Sequence, residues 1–304
     1  MAPAIAVVDL RKSYGRVQAV DGVSFEVNQG EIFGMVGPNG AGKTTAIECI
    51  EGLRKPDEGS VQVLGLDPQR GGYELRERIG VQLQETALAD RIKVCEAMDL
   101  FASFYRRSVD WDPLLDQLGL AEKRGASFGK LSGGQKQRLF IALALVNDPD
   151  VVFLDELTTG LDPQARRAMW ELVRGMRDRG KTVFLTTHHM EEAERLCDRV
   201  AIMDHGKIVA LDTPEELTRS LGIENRVVFT TDDGLELKLL QDLPVVTRVE
   251  RAAERVVVYG QADGLVGGVV NALEDAGVRF GDLRTEQPSL EDVFLALTGR
   301  EMRE

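Results

Sequence analysis

Apolar residues gather in two patterns along this chain, and the pattern changes with position. Short, nearly unbroken apolar runs recur at residues 31–36, 79–83, 151–154 and 182–187. Runs of that length without alternation suit strands buried on both faces of a parallel sheet. Residues 6–10 and 23–27 predict two further short strands, joined by a loop that holds Lys12-Ser13-Tyr14-Gly15. Residues 46–50 read as a helix. From about residue 85 the spacing turns helical. Met98, Phe101, Phe104 and Tyr105 share one face, and Leu114, Leu115, Leu118 and Leu120 suggest a second amphipathic helix.

Strands alternating with helices predict an α/β core with a mainly parallel sheet, spanning residues 1–218 with a helical insert at about 85–145. Thr213-Pro214-Glu215-Glu216 is a helix start, with threonine as cap and proline at the first position. Beyond it the pattern shortens to β segments at 227–231, 235–239 and 255–259. One helix follows, carrying Leu265, Val269, Val270 and Leu273 on one face, then a strand near 280–285. Ser289, with Asp292 three residues on, caps a last helix whose apolar face is Leu290, Val293, Phe294 and Leu297. The order β-β-β-α-β-α predicts a small α+β domain over residues 219–304.

The first candidate chemistry is Gly37-Pro38-Asn39-Gly40-Ala41-Gly42-Lys43-Thr44-Thr45, which fits the phosphate-loop spacing of Gly, four residues and Gly-Lys-Ser/Thr. Glycines let successive N–H groups curl around phosphate oxygens, and the helix that follows points its positive end at the same anion. Lys43 is expected to reach the outer phosphates and the Thr44 hydroxyl to ligate Mg²⁺. Strand before and helix after supply the context the motif needs.

The run at 151–154 ends in Asp155-Glu156, two carboxylates at the C-terminal edge of a strand, where open α/β sheets bind ligands. Asp155 is expected in the Mg²⁺ shell and Glu156 to orient the attacking water. His188 follows the strand at 182–187 and can contact a terminal phosphate. His189 is adjacent, and strand alternation would send the two rings opposite ways, with His188 toward the nucleotide. Gln84 ends its strand at the start of the insert, where an amide could touch both Mg²⁺ and water; a lone glutamine is more often a surface residue. His205, before Gly206, reads as a structural turn residue. Leu131-Ser132-Gly133-Gly134-Gln135 is a second glycine-rich loop, offering a hydroxyl and unobstructed N–H groups at a helix start.

In this order, the set Tyr14, Gly37 to Thr45, Gln84, Leu131 to Gln135, Asp155-Glu156, Gly160-Leu161-Asp162 and His188 resembles the nucleotide-binding subunits of ABC transporters, over residues from about 5 to 218. The implied fold is a P-loop NTPase core of ABC type. In that family Tyr14 would stack on adenine; as residues alone it could equally be a core aromatic. Ser132, Gly133, Gly134 and Gln135 would cap the γ-phosphate bound by the opposite subunit, and Asp162 would belong to the loop that crosses the dimer interface. Pro288-Ser289-Leu290-Glu291-Asp292-Val293-Phe294-Leu295 and Glu156-Leu157-Thr158-Thr159-Gly160 are similar to the daunorubicin-resistance-type exporter ATPases; many ABC ATPases have proline where Leu157 stands. The resemblance implies ATP and Mg²⁺ as cofactors, a homodimer of ATPase subunits and a separate multi-span membrane permease. It also implies a peripheral position on the cytoplasmic side of the membrane.

Charge and composition narrow the rivals. The net charge is −13 and the pI about 4.9, against a nucleic-acid binder. Residues 219–304 hold 16 Asp/Glu and 10 Lys/Arg, a net of −6, which predicts no nucleic-acid binding there either. No apolar run approaches the roughly 18 residues of a membrane helix, and residues 1–9 lack a signal pattern. Cys49, Cys95 and Cys197 are scattered without metal-ligand spacing, which predicts reduced, buried thiols in the cytosol. The alternative function, a soluble ABC-type ATPase acting on ribosomes or DNA, would usually show two ATPase units or a long coiled-coil or zinc insertion. One phosphate loop and one Leu-Ser-Gly-Gly-Gln are present. An importer subunit would share the same core.

Overall fold

The computed structural model describes residues 2–82, 87–220, 224–231, 235–260, 264–286 and 288–299. The chain divides into two compact units, Met1–Pro214 and Glu215–Arg300.

In the first unit the elements run β1 (Ile5–Tyr14), β2 (Val17–Val27), β3 (Ile32–Val36), α1 (Lys43–Ile50), β4 (Glu58–Val63), α2 (Gly72–Arg76) and β5 (Ile79–Gln82). The insert supplies α3 (Val94–Ala102), α4 (Asp112–Gln117) and α5 (Gly133–Leu145). The chain then forms β6 (Val151–Asp155), α6 (Pro163–Asp178), β7 (Thr182–Thr187), α7 (Met190–Leu196), β8 (Arg199–Asp204) and β9 (Lys207–Asp212). Six strands form the central sheet in the order β5-β6-β7-β3-β8-β9, parallel except for β9. Every residue of β3, β6 and β7 is buried, as their unbroken apolar runs require.

A second sheet, β2-β1-β4, is antiparallel. Phe33, Phe184 and Phe153 stand level on three adjacent strands, with ring centroids 5.6 and 5.9 Å apart, and Phe25 of β2 stacks on Phe33 at 5.1 Å. Each such ring pair adds about 0.5–1.5 kcal/mol to the burial itself. Ala46, Ile47 and Ile50 of α1 lie in the same core, so the helix after the phosphate loop is anchored by its apolar side.

Two local expectations change here. β1 and β2 are long strands closed by a tight turn, with Tyr14 paired to Val17, so Tyr14 ends a strand instead of sitting in a loop. Their half-exposed polar positions hid that length. In the insert, α3 stops at Ala102, leaving Phe104 beyond it and 65% exposed.

The second unit begins along α8 (Pro214–Ser220). It continues as β10 (Asn225–Thr231), α9 (Lys238–Gln241), β11 (Val246–Ala252), β12 (Arg255–Gly260), α10 (Leu265–Asp275), β13 (Phe280–Glu286) and α11 (Leu290–Thr298). Its order β-α-β-β-α-β, with sheet β11-β12-β10-β13 all antiparallel, is the ferredoxin-like split β-α-β arrangement. This corrects the predicted order in two places. The alternating Leu235-Glu236-Leu237-Lys238-Leu239 stretch resembles a strand, yet it runs into the short helix α9, which buries Leu240. The strand missed by the sequence reading is β11, whose charged Arg248, Glu250 and Arg251 suit a sheet edge. Leu290, Val293 and Phe294 of α11 are buried and Leu297 half-exposed, so of the apolar face only Leu297 stays open.

Candidate nucleotide site

Three chain segments leave the same end of the sheet side by side. The loop of residues 37–42 follows β3, Glu156 follows β6 and His188 follows β7, and these strands are neighbours in the order β6-β7-β3. Open α/β sheets bind ligands at such a carboxyl end.

The loop's shape depends on its glycines. Gly42 adopts φ 105°, and a Cβ there would lie 2.1 Å from the carbonyl oxygen of Ala19; one on Gly37 would lie 2.1 Å from that of Met203. Gly40 is also left-handed, at φ 80°, with open space around it. The turn at His205-Gly206 supports the loop from behind, the Gly206 N–H donating to the Ala41 carbonyl at 2.9 Å. His205 is thus a turn residue, with φ 45°.

Lys43 is only 4% exposed and folds back along the loop. Its Nζ donates to the carbonyls of Gly37 at 2.8 Å and Pro38 at 3.2 Å and lies 3.3 Å from Glu156 Oε1. Burial pushes the Lys43 amine down, against Glu156 and Asp155, which favour its charge. Asp155 accepts from the Thr186 hydroxyl on β7. Burial pushes its carboxyl up, opposed by the hydroxyls of Thr186 and Thr44 and by Lys43.

Glu156 is held on three sides. Besides Lys43 on Oε1, its Oε2 lies 2.6 Å from His188 Nδ1 and accepts from the Thr159 hydroxyl at 3.1 Å. Its backbone is left-handed at φ 53°, unusual outside glycine, and its N–H donates to the Thr186 carbonyl at 3.1 Å. Such strain persists where surrounding contacts over-determine it, as at functional sites.

His188 and His189 do not point opposite ways. β7 ends at Thr187, so strand alternation no longer applies, and the two rings touch with centroids 4.0 Å apart. His188 reaches Glu156, while His189 is the N-cap residue of α7.

The remaining predicted residues stand apart from this cluster. Ser132 caps α5, accepting from the Gln135 N–H at 3.3 Å while Gln135 Oε1 accepts from the Ser132 N–H at 3.0 Å. That reciprocal box leaves the N–H groups of Gly133 and Gly134 aimed outward at the helix start. Asp162 caps α6 through the N–H groups of Gln164 and Ala165, both at 2.9 Å. Tyr14 is 41% exposed, with the Arg54 guanidinium 5.2 Å from its ring. Among the described residues no hydrogen bond or ion pair joins Leu131–Gln135 to the 37–45 loop. Gln84 lies outside the described residues. Thr159 and Thr186, which hold the two carboxylates, were missed by the sequence reading; Thr159 is the only one a local spacing, three residues after Glu156, could have suggested.

The loop suits a polyphosphate, with open space at Gly40 and a buried lysine beneath. Thr44 and Asp155 are hard oxygen donors suited to Mg²⁺. Among the described residues no cluster of three or more His, Cys, Asp or Glu could hold a metal, and Mg²⁺ on a phosphate needs none. The three thiols are free, Cys49 and Cys197 buried and Cys95 only half-buried.

Residues 20–159 match the family described as ABC transporter. The Nod factor export ATP-binding protein I of Ralstonia nicotianae is 39% identical over 99% of this chain and 96% of its own. The daunorubicin resistance ATP-binding protein DrrA3 of Streptomyces coeruleorubidus is 36% identical over 99% and 97%. The solved structure of an ATP-binding subunit of an ABC transporter covers 72% of this chain and 93% of its own, with TM-score 0.66 and 29% identity. A dimeric ATP-binding cassette in a post-hydrolysis state, bound to ADP and Pi, covers 69% and 98%, with TM-score 0.61 and 27% identity. With exporter-type relatives matched end to end and the phosphate loop, carboxylate pair and histidine gathered at one sheet edge, the chain belongs to the ABC transporter family as an ATP-binding, ATP-hydrolysing subunit.

Proposed function

We propose that this ATPase drives an exporter, in which two copies close on ATP and act on a separate membrane permease. The three-sided hold on Glu156 carries the catalytic part of this reading. Lys43 and His188 flank its carboxylate and Thr159 fixes its rotamer, the arrangement expected of a residue that orients and polarises an attacking water. Lys43 binds the outer phosphates once it turns from the loop carbonyls. The backbone N–H groups of the 37–45 loop cradle the phosphates, and Tyr14 supports the adenine. Thr44, Asp155 and Gln84 would hold Mg²⁺, which neutralises charge on the phosphates when bound. Ser132, Gly133, Gly134 and Gln135 cap the γ-phosphate of the opposite subunit, with Asp162 at the shared interface; that a family relative is solved as a dimer supports this.

Export is favoured over import by the full-length match to proteins named for Nod factor export and daunorubicin resistance. Among the described residues no helix is long and apolar enough to cross a membrane; in this reading a separate permease supplies the transport path. An open groove of about 770 Å³, lined by Tyr73, Glu77, Arg106, Arg107 and Asn147, lies between α2 with the residues just after it and the segments at 106–109 and 147–148. Its exposed Tyr73 supports contact there with the permease, this chain lying peripheral to the membrane. The division of labour is an ATPase over residues 1–218 and an α+β domain over 219–304 that steadies the assembly.

The test is Glu156→Gln. Hydrolysis should fall roughly a hundredfold or more. The tagged variant, purified from its host with ATP in mild detergent, should carry a stoichiometric multi-span membrane protein. Ribosomal proteins or nucleic acid in its place would make it a soluble ABC-type ATPase.

A further inference from the structure

A second buried carboxyl stands behind the first. Glu192, on α7, is 1% exposed. Its Oε1 accepts from Trp170 Nε1 on α6 at 3.1 Å, and its Oε2 has no hydrogen-bond partner. The hydroxyls of Thr187 and Thr158 lie close enough to the carboxyl to favour its charged form, although Thr158 Oγ1 and Glu192 Oε2 are both buried short of a well-formed hydrogen bond. Buried polar atoms are rarely left unpaired without a reason.

The sequence relation between these contacts is specific. Thr159 and His188 hold Glu156. The residue before each of them, Thr158 and Thr187, faces Glu192. Thr158 and Thr159 lie in the turn after β6, and Thr187 and His188 straddle the end of β7. In each pair one residue holds Glu156 and its neighbour lies beside Glu192. Burial pushes the Glu192 carboxyl up, opposed by Thr187, Trp170 and Thr158, with Glu156 adding a smaller push in the direction of burial.

We infer that Glu192 is a positioning residue for ATP hydrolysis, fixing Thr158 and Thr187 and, through them, the bonds that Thr159 and His188 make to Glu156. The inference rests on Glu156 as the residue that orients the attacking water. The competing role is purely architectural, a tie between α7 and Trp170.

Steady-state hydrolysis by the full-length chain decides between them, with thermal melting as a control for folding. Glu192→Ala should lower kcat roughly tenfold or more while leaving KM for ATP within about twofold, because it loosens the hold on Glu156 and touches no nucleotide contact. Glu192→Gln, neutral and of the same shape, should restore kcat to within about threefold of wild type. Thr158→Val should lower kcat in the same sense, and combining it with Glu192→Ala should add little, since both break one contact. Wild-type kcat in Glu192→Ala, equal losses in the Ala and Gln variants, or losses that multiply in the double variant would each overturn the inference. Should Glu192→Ala fail to fold, Thr158→Val decides alone: a lowered kcat at unchanged KM supports the inference and a wild-type kcat overturns it. Glu156→Gln is measured alongside. Wild-type hydrolysis there removes the underlying reading; an inactive Glu156→Gln beside a fully active Glu192→Ala removes only this inference.

Discussion

His188 Nδ1 lies 2.6 Å from Glu156 Oε2, and Lys43 Nζ approaches the other oxygen of the same carboxylate at 3.3 Å. One buried carboxylate is thus shared between the residue after β7 and the first residue of α1. A phosphate entering the loop would compete with Glu156 for Lys43 and leave the His188 contact as its main support.

His188→Ala tests that relationship. The variant should lose about two orders of magnitude in kcat, within the range for a positioned group acting on the reacting centre. Its KM for ATP should move little, since the phosphate loop and Lys43 are untouched. Single-turnover hydrolysis with excess protein checks it, separating the chemical step from product release. A loss that falls on KM alone would make His188 a binding residue.

Lys43→Met removes the cation from the floor of the loop. ATP affinity should fall by a factor of about a hundred or more, the scale of a lost charge-assisted contact in a buried site. Titration with a fluorescent ATP analogue measures it. The same variant leaves Glu156 held by His188 and Thr159 only, so the free protein should also melt at a lower temperature than wild type.

The parts of this site that were legible in the sequence are those fixed by local chain chemistry. The 37–45 loop needs glycine at positions where a Cβ would meet a backbone carbonyl, and the strands beneath it are unbroken apolar runs. What could not be read depends on contacts between distant segments. Thr186 reaches Asp155, and Trp170 reaches Glu192, only because β6, β7, α6 and α7 pack together. The histidine pair was misjudged because alternation was carried two residues past the end of β7. In the second unit, β11 was hidden because an edge strand needs few apolar residues, and α9 was masked by an alternating leucine run.

Gly42→Ala should damage both fold and binding. The residue sits at φ 105°, and the added methyl would meet the Ala19 carbonyl at 2.1 Å and the Met203 methyl at 2.9 Å. Left-handed strain costs on the order of 1–3 kcal/mol before the steric clash is counted. A melting temperature several degrees lower, together with loss of ATP binding, is expected. Gly40→Ala, where φ is 80° but space is open, should show the strain without the clash and so a smaller drop.

Glu51 gives the pH dependence of stability. It caps α1, is 7% exposed and has no hydrogen-bond partner on either carboxyl oxygen. Burial, with smaller contributions from Asp155 and Glu48, pushes its carboxyl from 4.5 to about 9. Between those values the unfolded chain has released a proton that the folded chain keeps. Stability from this group is therefore fully present below pH 4.5 and is lost as pH rises toward 9, at no more than about 1.4 kcal/mol per pH unit. Glu51→Gln removes the titration and keeps the shape. It should match wild type near pH 5 and exceed it by a few kcal/mol at pH 8. Denaturant melts at the two pH values check this, and an equal gain at both would mean that packing rather than charge is responsible.

The last prediction concerns the two half-sites. Among the described residues no hydrogen bond or ion pair joins Ser132–Gln135 to the 37–45 loop of the same chain, although both segments suit phosphate. If each loop caps nucleotide held by another copy, two defects in different chains can be separated. Lys43→Ala destroys the phosphate loop of its own subunit, and Ser132→Arg blocks the capping loop of its own subunit. In a mixed dimer, one composite site collects both defects. The other combines an intact Lys43 with an intact Ser132. Each variant alone should be inactive, while an equimolar mixture of separately tagged subunits should recover ATP-dependent association of the two tags and a fraction of the hydrolysis. No recovery of association would place the capping loop's partner within its own chain or nowhere at all. Full recovery by either variant alone would show that its residue is not needed.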